Sequence, residues 1–102
     1  MTSREDKLKP EEIGGIFPYG KLVATPGALD LLERSGKTGA EYVLRHLRGD
    51  WGDLCDEDVE QNKCALEKGY RLMSSYNLGS TKLWIITEAD RSVTTLLLPD
   101  EY

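Results

Sequence analysis

The chain has 102 residues, of which 39% are hydrophobic and 30% charged, and its formal net charge is −5. That length supports one modest core and no second one. An acidic balance of this kind argues against a broad DNA-binding surface, which needs clustered Lys and Arg.

Residues 1–15 are charged, contain Pro10 and end in Gly14-Gly15, so they read as a flexible lead-in to a single domain over residues 16–102. Phe17-Pro18-Tyr19-Gly20 reads as a turn, and Lys21-Leu22-Val23-Ala24 as a short strand. Thr25 and Pro26 then open a helix, Thr25 as N-cap and Pro26 at the first position, where its missing N–H costs nothing. Ala28, Leu29, Leu31 and Leu32 form its apolar side, and Gly36 stops it. Thr38 and Glu41 have capping-box spacing, and Ala40, Val43, Leu44 and Leu47 follow at helical period to a stop at Gly49. A third helix opens near Asp56 with three acids in its first turn and closes at Lys68-Gly69.

The period then changes. Residues 70–76, 82–87 and 93–98 read as strands, joined by turn chemistry at Asn77-Leu78-Gly79-Ser80 and by residues 88–92, with Pro99 ending the last. Short links between successive strands predict an antiparallel meander. Helices first and strands after predict an α+β fold with the helices on one sheet face, and Trp84 in the core.

No stretch approaches the roughly 20 apolar residues of a membrane helix, and Met1-Thr2-Ser3-Arg4-Glu5-Asp6-Lys7 has no apolar signal segment. A cytoplasmic chain without a membrane partner is expected. Its two thiols, Cys55 and Cys64, are expected reduced, and their spacing is not that of a zinc site. No metal and no cofactor are expected. Gly36-Lys37-Thr38 invites a phosphate-loop reading, but the pattern needs Gly where Leu31 stands inside a helix.

Two features carry the candidate chemistry. Asp50, Asp53, Asp56, Glu57, Asp58 and Glu60 place six acids in eleven residues, either a solvated helix start or a face for a basic protein partner. The segment Arg45-His46-Leu47-Arg48-Gly49-Asp50-Trp51-Gly52 holds the single histidine. At the end of its helix, near the surface, His46 stabilises the helix C-terminus when protonated, serves as a general acid/base oriented by Asp50, or forms with Trp51 a surface for a protein partner. Trp51 either plugs the gap between helices and sheet or offers a stacking surface for a partner. Gly49 and Asp50 also fit a cap and an Asx-type turn. Arg71 and Arg91 are candidates for a phosphate or carboxylate, and Glu88 for an acid. Arg48, Asp50, Trp51, Ser75 and Thr87 are the candidate ligand or partner contacts.

The segments from His46 to Asp53, from Gly69 to Leu72 and from Trp84 to Ser92 resemble a family of short, mostly uncharacterised bacterial proteins often found on plasmids and phages. Gly-Asp-Trp-Gly and Thr-Glu-Ala-Asp-Arg are the distinctive segments. The resemblance implies an accessory protein of the bacterial cytoplasm and no particular reaction. In architecture the chain is also similar to barnase-type and RelE-like ribonucleases, whose sheets handle a scissile phosphate. That likeness points to Arg71, Ser75, Thr87, Arg91 and Thr95, with Glu88 or Asp90 as acid, but the strand-end histidine of the barnase pattern has no counterpart here. Two functions follow: a non-enzymatic binding or regulatory protein, and a small metal-independent nuclease or other phosphate-handling enzyme. The second requires His46, Arg71 and Arg91, with Asp50 or Glu88, to converge on one cleft.

Overall fold

Thr25 sets the first helix in place. Its hydroxyl oxygen accepts from the Ala28 amide at 3.1 Å, Pro26 takes the first helical position, and Gly36, at φ 66, closes the far end. In the computed structural model, which describes residues 14–102, that helix is α1 (Pro26–Ser35), preceded by the strand β1 (Lys21–Ala24). It is followed by α2 (Gly39–Leu47), α3 (Asp56–Lys68), β2 (Leu72–Leu78), β3 (Thr81–Thr87), β4 (Val93–Leu97) and a 3-10 turn, Pro99–Glu101. The lead-in read over residues 1–15 lies outside the described residues except for Gly14 and Gly15.

The fold is α+β, as expected, and β2, β3 and β4 form the antiparallel meander. The sheet has a fourth member. β1 pairs parallel with β4, giving a mixed sheet in the order β1-β4-β3-β2. Turn chemistry does not reveal this pairing, because it joins segments some seventy positions apart in the chain. Gly20 makes the approach to β1 fit: at φ 65, a Cβ there would lie 2.3 Å from the Ser92 carbonyl oxygen.

Three local expectations are corrected. Thr38 stands at the N-cap of α2 with extended backbone, but its side chain makes no capping bond. The turn expected over Asn77–Ser80 shrinks to Gly79 and Ser80, because β2 and β3 stay paired out to Leu78 and Thr81. Trp84 is not in the core: it pairs with Ser75 on the far sheet face, partly exposed, with its ring edge-on to Tyr102 at 5.9 Å.

The core lies under α1 and α2. Leu31, Leu47, Leu72, Tyr76, Leu83 and Ile85 are almost completely buried there, and burying each such side chain contributes about 1.5–3 kcal/mol. α3 runs along the β2 edge. The Asn62 amide donates to the Met73 carbonyl at 2.8 Å and accepts from the Met73 N–H at 3.2 Å. The Ser75 N–H donates to the Trp51 carbonyl, and the Ser75 carbonyl accepts from Asp53 N–H. The edge of β2 is thereby closed to other strands. Gly52 lies between those two contacts, and a Cβ there would stand 2.2 Å from the Ser75 carbonyl oxygen. Among the described residues no helix is long and apolar enough to cross a membrane.

Candidate functional site

Helical geometry decides where His46 goes. It sits one position before Leu47 on α2, and the wide apolar stripe of that helix turns both side chains inward. His46 is fully buried, which corrects the near-surface placement. Its ring enters a polar cluster inside the apolar core. Nδ1 lies 2.5 Å from Ser74 Oγ, and Nε2 lies 2.9 Å from Thr87 Oγ1. Thr87 Oγ1 is 2.8 Å from Thr94 Oγ1, and Thr94 donates to the Tyr19 carbonyl at 2.8 Å.

The protons in this chain can be assigned from its last bond. The Tyr19 carbonyl only accepts, so Thr94 spends its proton there and accepts from Thr87. Thr87 therefore accepts from His46 Nε2–H, and Nδ1 accepts from Ser74. His46 is neutral, with its proton on Nε2. Burial pushes its pKa down to about 3, because among the described residues no carboxylate offsets the cost of a buried cation.

The expected partner of His46 is occupied elsewhere. Asp50 accepts from Arg45 Nε at 2.8 Å and from the Gly52 N–H at 3.2 Å, so its Asx-type bond to the backbone is present. The Arg45 guanidinium holds the Asp50 carboxyl below its ordinary value. Trp51 is 92% buried by its packing, stacked on Phe17 at 6.2 Å and edge-on to His46 at 5.6 Å. With both His46 and Trp51 inside, the surface expected over His46–Trp51 as a partner contact does not exist in that form. Arg48 is exposed.

Arg91 is a clamp. It is the sole non-glycine residue at positive φ among those described, at 60°. Its Nη1 donates to the carbonyls of Tyr70, Glu88 and Ala89, and Nη2 donates to Ala65 at 3.1 Å. It thus ties the β3–β4 turn to the end of α3 and the start of β2. Glu88 helps through its backbone, donating to Val93 and accepting from Arg91 N–H. Ser75 is buried, with its backbone bonded to Trp51 and Asp53.

Arg71 goes to the other side of the sheet. Leu72 points into the core, so Arg71 and Met73 alternate to the far face. There Arg71 donates to the Tyr102 hydroxyl, with its guanidinium 5.5 Å from that ring. Tyr102, Met73 and Ile86, with Leu54, Asp58, Gln61 and Asn62 on the α3 side, surround a cleft of about 250 Å³ with Arg71 in its wall. Among the described residues no carboxylate pairs with Arg71.

Of the residues nominated from sequence, His46 meets Thr87 and Trp51, and Ser75 bonds to Trp51 through the backbone. Arg91, Asp50 and Arg71 go to three other places, so His46, Arg71 and Arg91 share no cleft. Ser74 and Thr94, which complete the buried cluster, and Gln61 and Tyr102, which complete the cleft, escaped the sequence reading. Alternation along β2 places Ser74 with Leu72 and Tyr76 and was the available signal. Nothing local marks Tyr102, which the 3-10 turn brings beside Trp84. Cys55 and Cys64 are free thiols. No family model, curated protein or solved structure matches the chain.

Proposed function

We propose that this chain is a cytoplasmic, non-enzymatic binding or regulatory accessory protein of a bacterial mobile element, and that it holds a protein partner across the cleft beside α3. The observation that carries the reading is Arg71. Its guanidinium lines the cleft whose apolar floor is Met73 and Ile86, bonded to the Tyr102 hydroxyl and to no carboxylate among the described residues. Such a group recognises a carbonyl or carboxylate. Asp58 lines the same cleft, and Asp56 and Glu57 stand exposed beside it in the first turn of α3. The partner segment that fits offers an apolar side chain to the floor, a basic one to these acids and an acceptor to Arg71. The mobile-element and cytoplasmic parts rest on the likeness of the Gly-Asp-Trp-Gly and Thr-Glu-Ala-Asp-Arg segments.

The competing reading is a phosphate-handling enzyme using His46, Arg71, Arg91, Asp50 and Glu88. The dispersal of those groups counts against it, as does the engagement of Arg91 and His46 in internal bonds. The test is co-purification from a bacterial host, with wild type, Arg71→Glu and Asp58→Lys handled in parallel. A partner retained by the wild type and lost by both variants is expected. Recovery of no variant-sensitive partner, or RNA cleavage by the pure chain that disappears with Arg71→Glu, overturns the reading.

A further inference from the structure

The two edges of the sheet are treated differently. The outward groups of Met73 and Ser75 on β2 are covered by Asn62 and by residues 51–53. At the other edge, Lys21 N–H donates to the Ser92 carbonyl and Thr25 N–H to the Leu96 carbonyl. Positions 21, 23 and 25 therefore face β4, and the N–H and C=O of Leu22 and Ala24 point away from the sheet. Among the described residues no hydrogen-bonding group meets them. An apolar groove runs beside this edge, lined by Leu22, Leu29, Leu32, Ala40, Val43 and Leu96. Leu22 is 46% and Leu29 57% exposed, although burying each would be favourable.

We infer that β1 pairs antiparallel with β1 of a second copy of this chain, joining two four-stranded sheets across a twofold axis. The backbone selects the register. In an antiparallel ladder, residues whose groups point at one another exchange both bonds, so Leu22 must face Ala24 of the second copy, and Ala24 must face its Leu22. Val23 then lies opposite Val23 at the axis. This alignment uses the whole strand and makes four hydrogen bonds. A shift toward Gly20 meets its positive φ of 65°, and a shift the other way meets Pro26, which has no N–H to give.

Charge supports the same register. Lys21 falls opposite Thr25 of the second copy, and the Thr25 hydroxyl donates to Glu101 Oε1 at 2.6 Å. No Lys or Arg pairs with Glu101 among the described residues. Each Lys21 therefore lands beside a Glu101 of the other copy, twice over. A twofold contact is self-complementary in this way by symmetry. Leu22 and Leu29 lose water on the helix side of the same seam.

Sedimentation of the pure full-length chain over a rising concentration series tests this. The mass should climb from one copy to two. Leu22→Pro removes an outward N–H that the folded monomer does not use, and it should give a folded monomer with an unchanged near-ultraviolet spectrum. Lys21→Glu sets like charges together and should weaken association about tenfold. Lys21→Glu with Glu101→Lys should recover it. With Cys55 and Cys64 replaced by Ser, Val23→Cys should form an intermolecular disulfide on mild oxidation, because opposed residues in a non-hydrogen-bonded pair lie within disulfide reach. A wild type that stays monomeric throughout, a dimer indifferent to Lys21→Glu, or a Val23→Cys chain that stays reduced overturns the inference. A chain that takes up another protein's strand while remaining monomeric alone does so too.

Discussion

His46 donates from Nε2 to Thr87 across 2.9 Å, inside a cluster whose other side chains, Ser74, Thr87 and Thr94, are all fully buried. A histidine in this position is a structural donor and acceptor. Its value to the fold depends on its staying neutral, and that makes the fold sensitive to acid.

In the unfolded chain the imidazole binds a proton near its ordinary value of 6.5, and in the fold only near about 3. Between those values unfolding takes up a proton. This group's contribution to stability is therefore flat above pH 6.5 and falls as the pH drops toward 3, by roughly 1 kcal/mol per pH unit. Urea unfolding across this range should show the slope in the wild type. His46→Leu should lose about 1–3 kcal/mol at pH 7 by removing the bond to Ser74 and the donor to Thr87, which keeps its bond to Thr94, and the remaining acid slope should be shallower.

Arg91→Lys should destabilise the chain by about 2 kcal/mol despite keeping the charge. A single ammonium has three protons and no planar fork, so it does not span the carbonyls of Ala65, Tyr70, Glu88 and Ala89. Thermal unfolding measures the loss, and protection of the amides near Gly69 and Glu88 in hydrogen exchange should fall together.

Asn62→Leu keeps the side-chain volume close and removes both bonds to Met73. A loss of about 1–3 kcal/mol is expected, with a greater tendency to aggregate as the β2 edge opens. Light scattering on warming should separate this variant from the wild type before any change in helix content.

Arg71→Ala removes only contacts of an exposed side chain with Tyr102, so the unfolding midpoint should move by no more than about 0.5 kcal/mol equivalent. The same change should abolish partner capture. A large stability loss would instead make Arg71 part of the fold.

Several elements were legible because their determinants lie within a few residues. Thr25, Pro26 and Gly36 bound α1, and Gly69 closes α3 whatever the rest of the chain does. The β-branched and aromatic run within residues 82–87 marks β3 for the same reason. The candidate site was less legible. The His46-to-Gly52 segment drew attention as a cluster of unusual residues, but proximity in sequence did not foretell bonding. Asp50 turned to Arg45, five positions away, and His46 turned to Thr87, forty-one positions away.

By itself, then, the sequence determined the α+β class, the helix ends and the acidic opening of α3, since caps, stops and periodicity act over short distances. Only the tertiary structure decided that β1 joins β4, that His46 is buried and neutral, and that Arg71 and Arg91 part company. Those outcomes depend on which long-range partner satisfies a buried polar group or an open strand edge. That competition is settled by packing the whole domain at once.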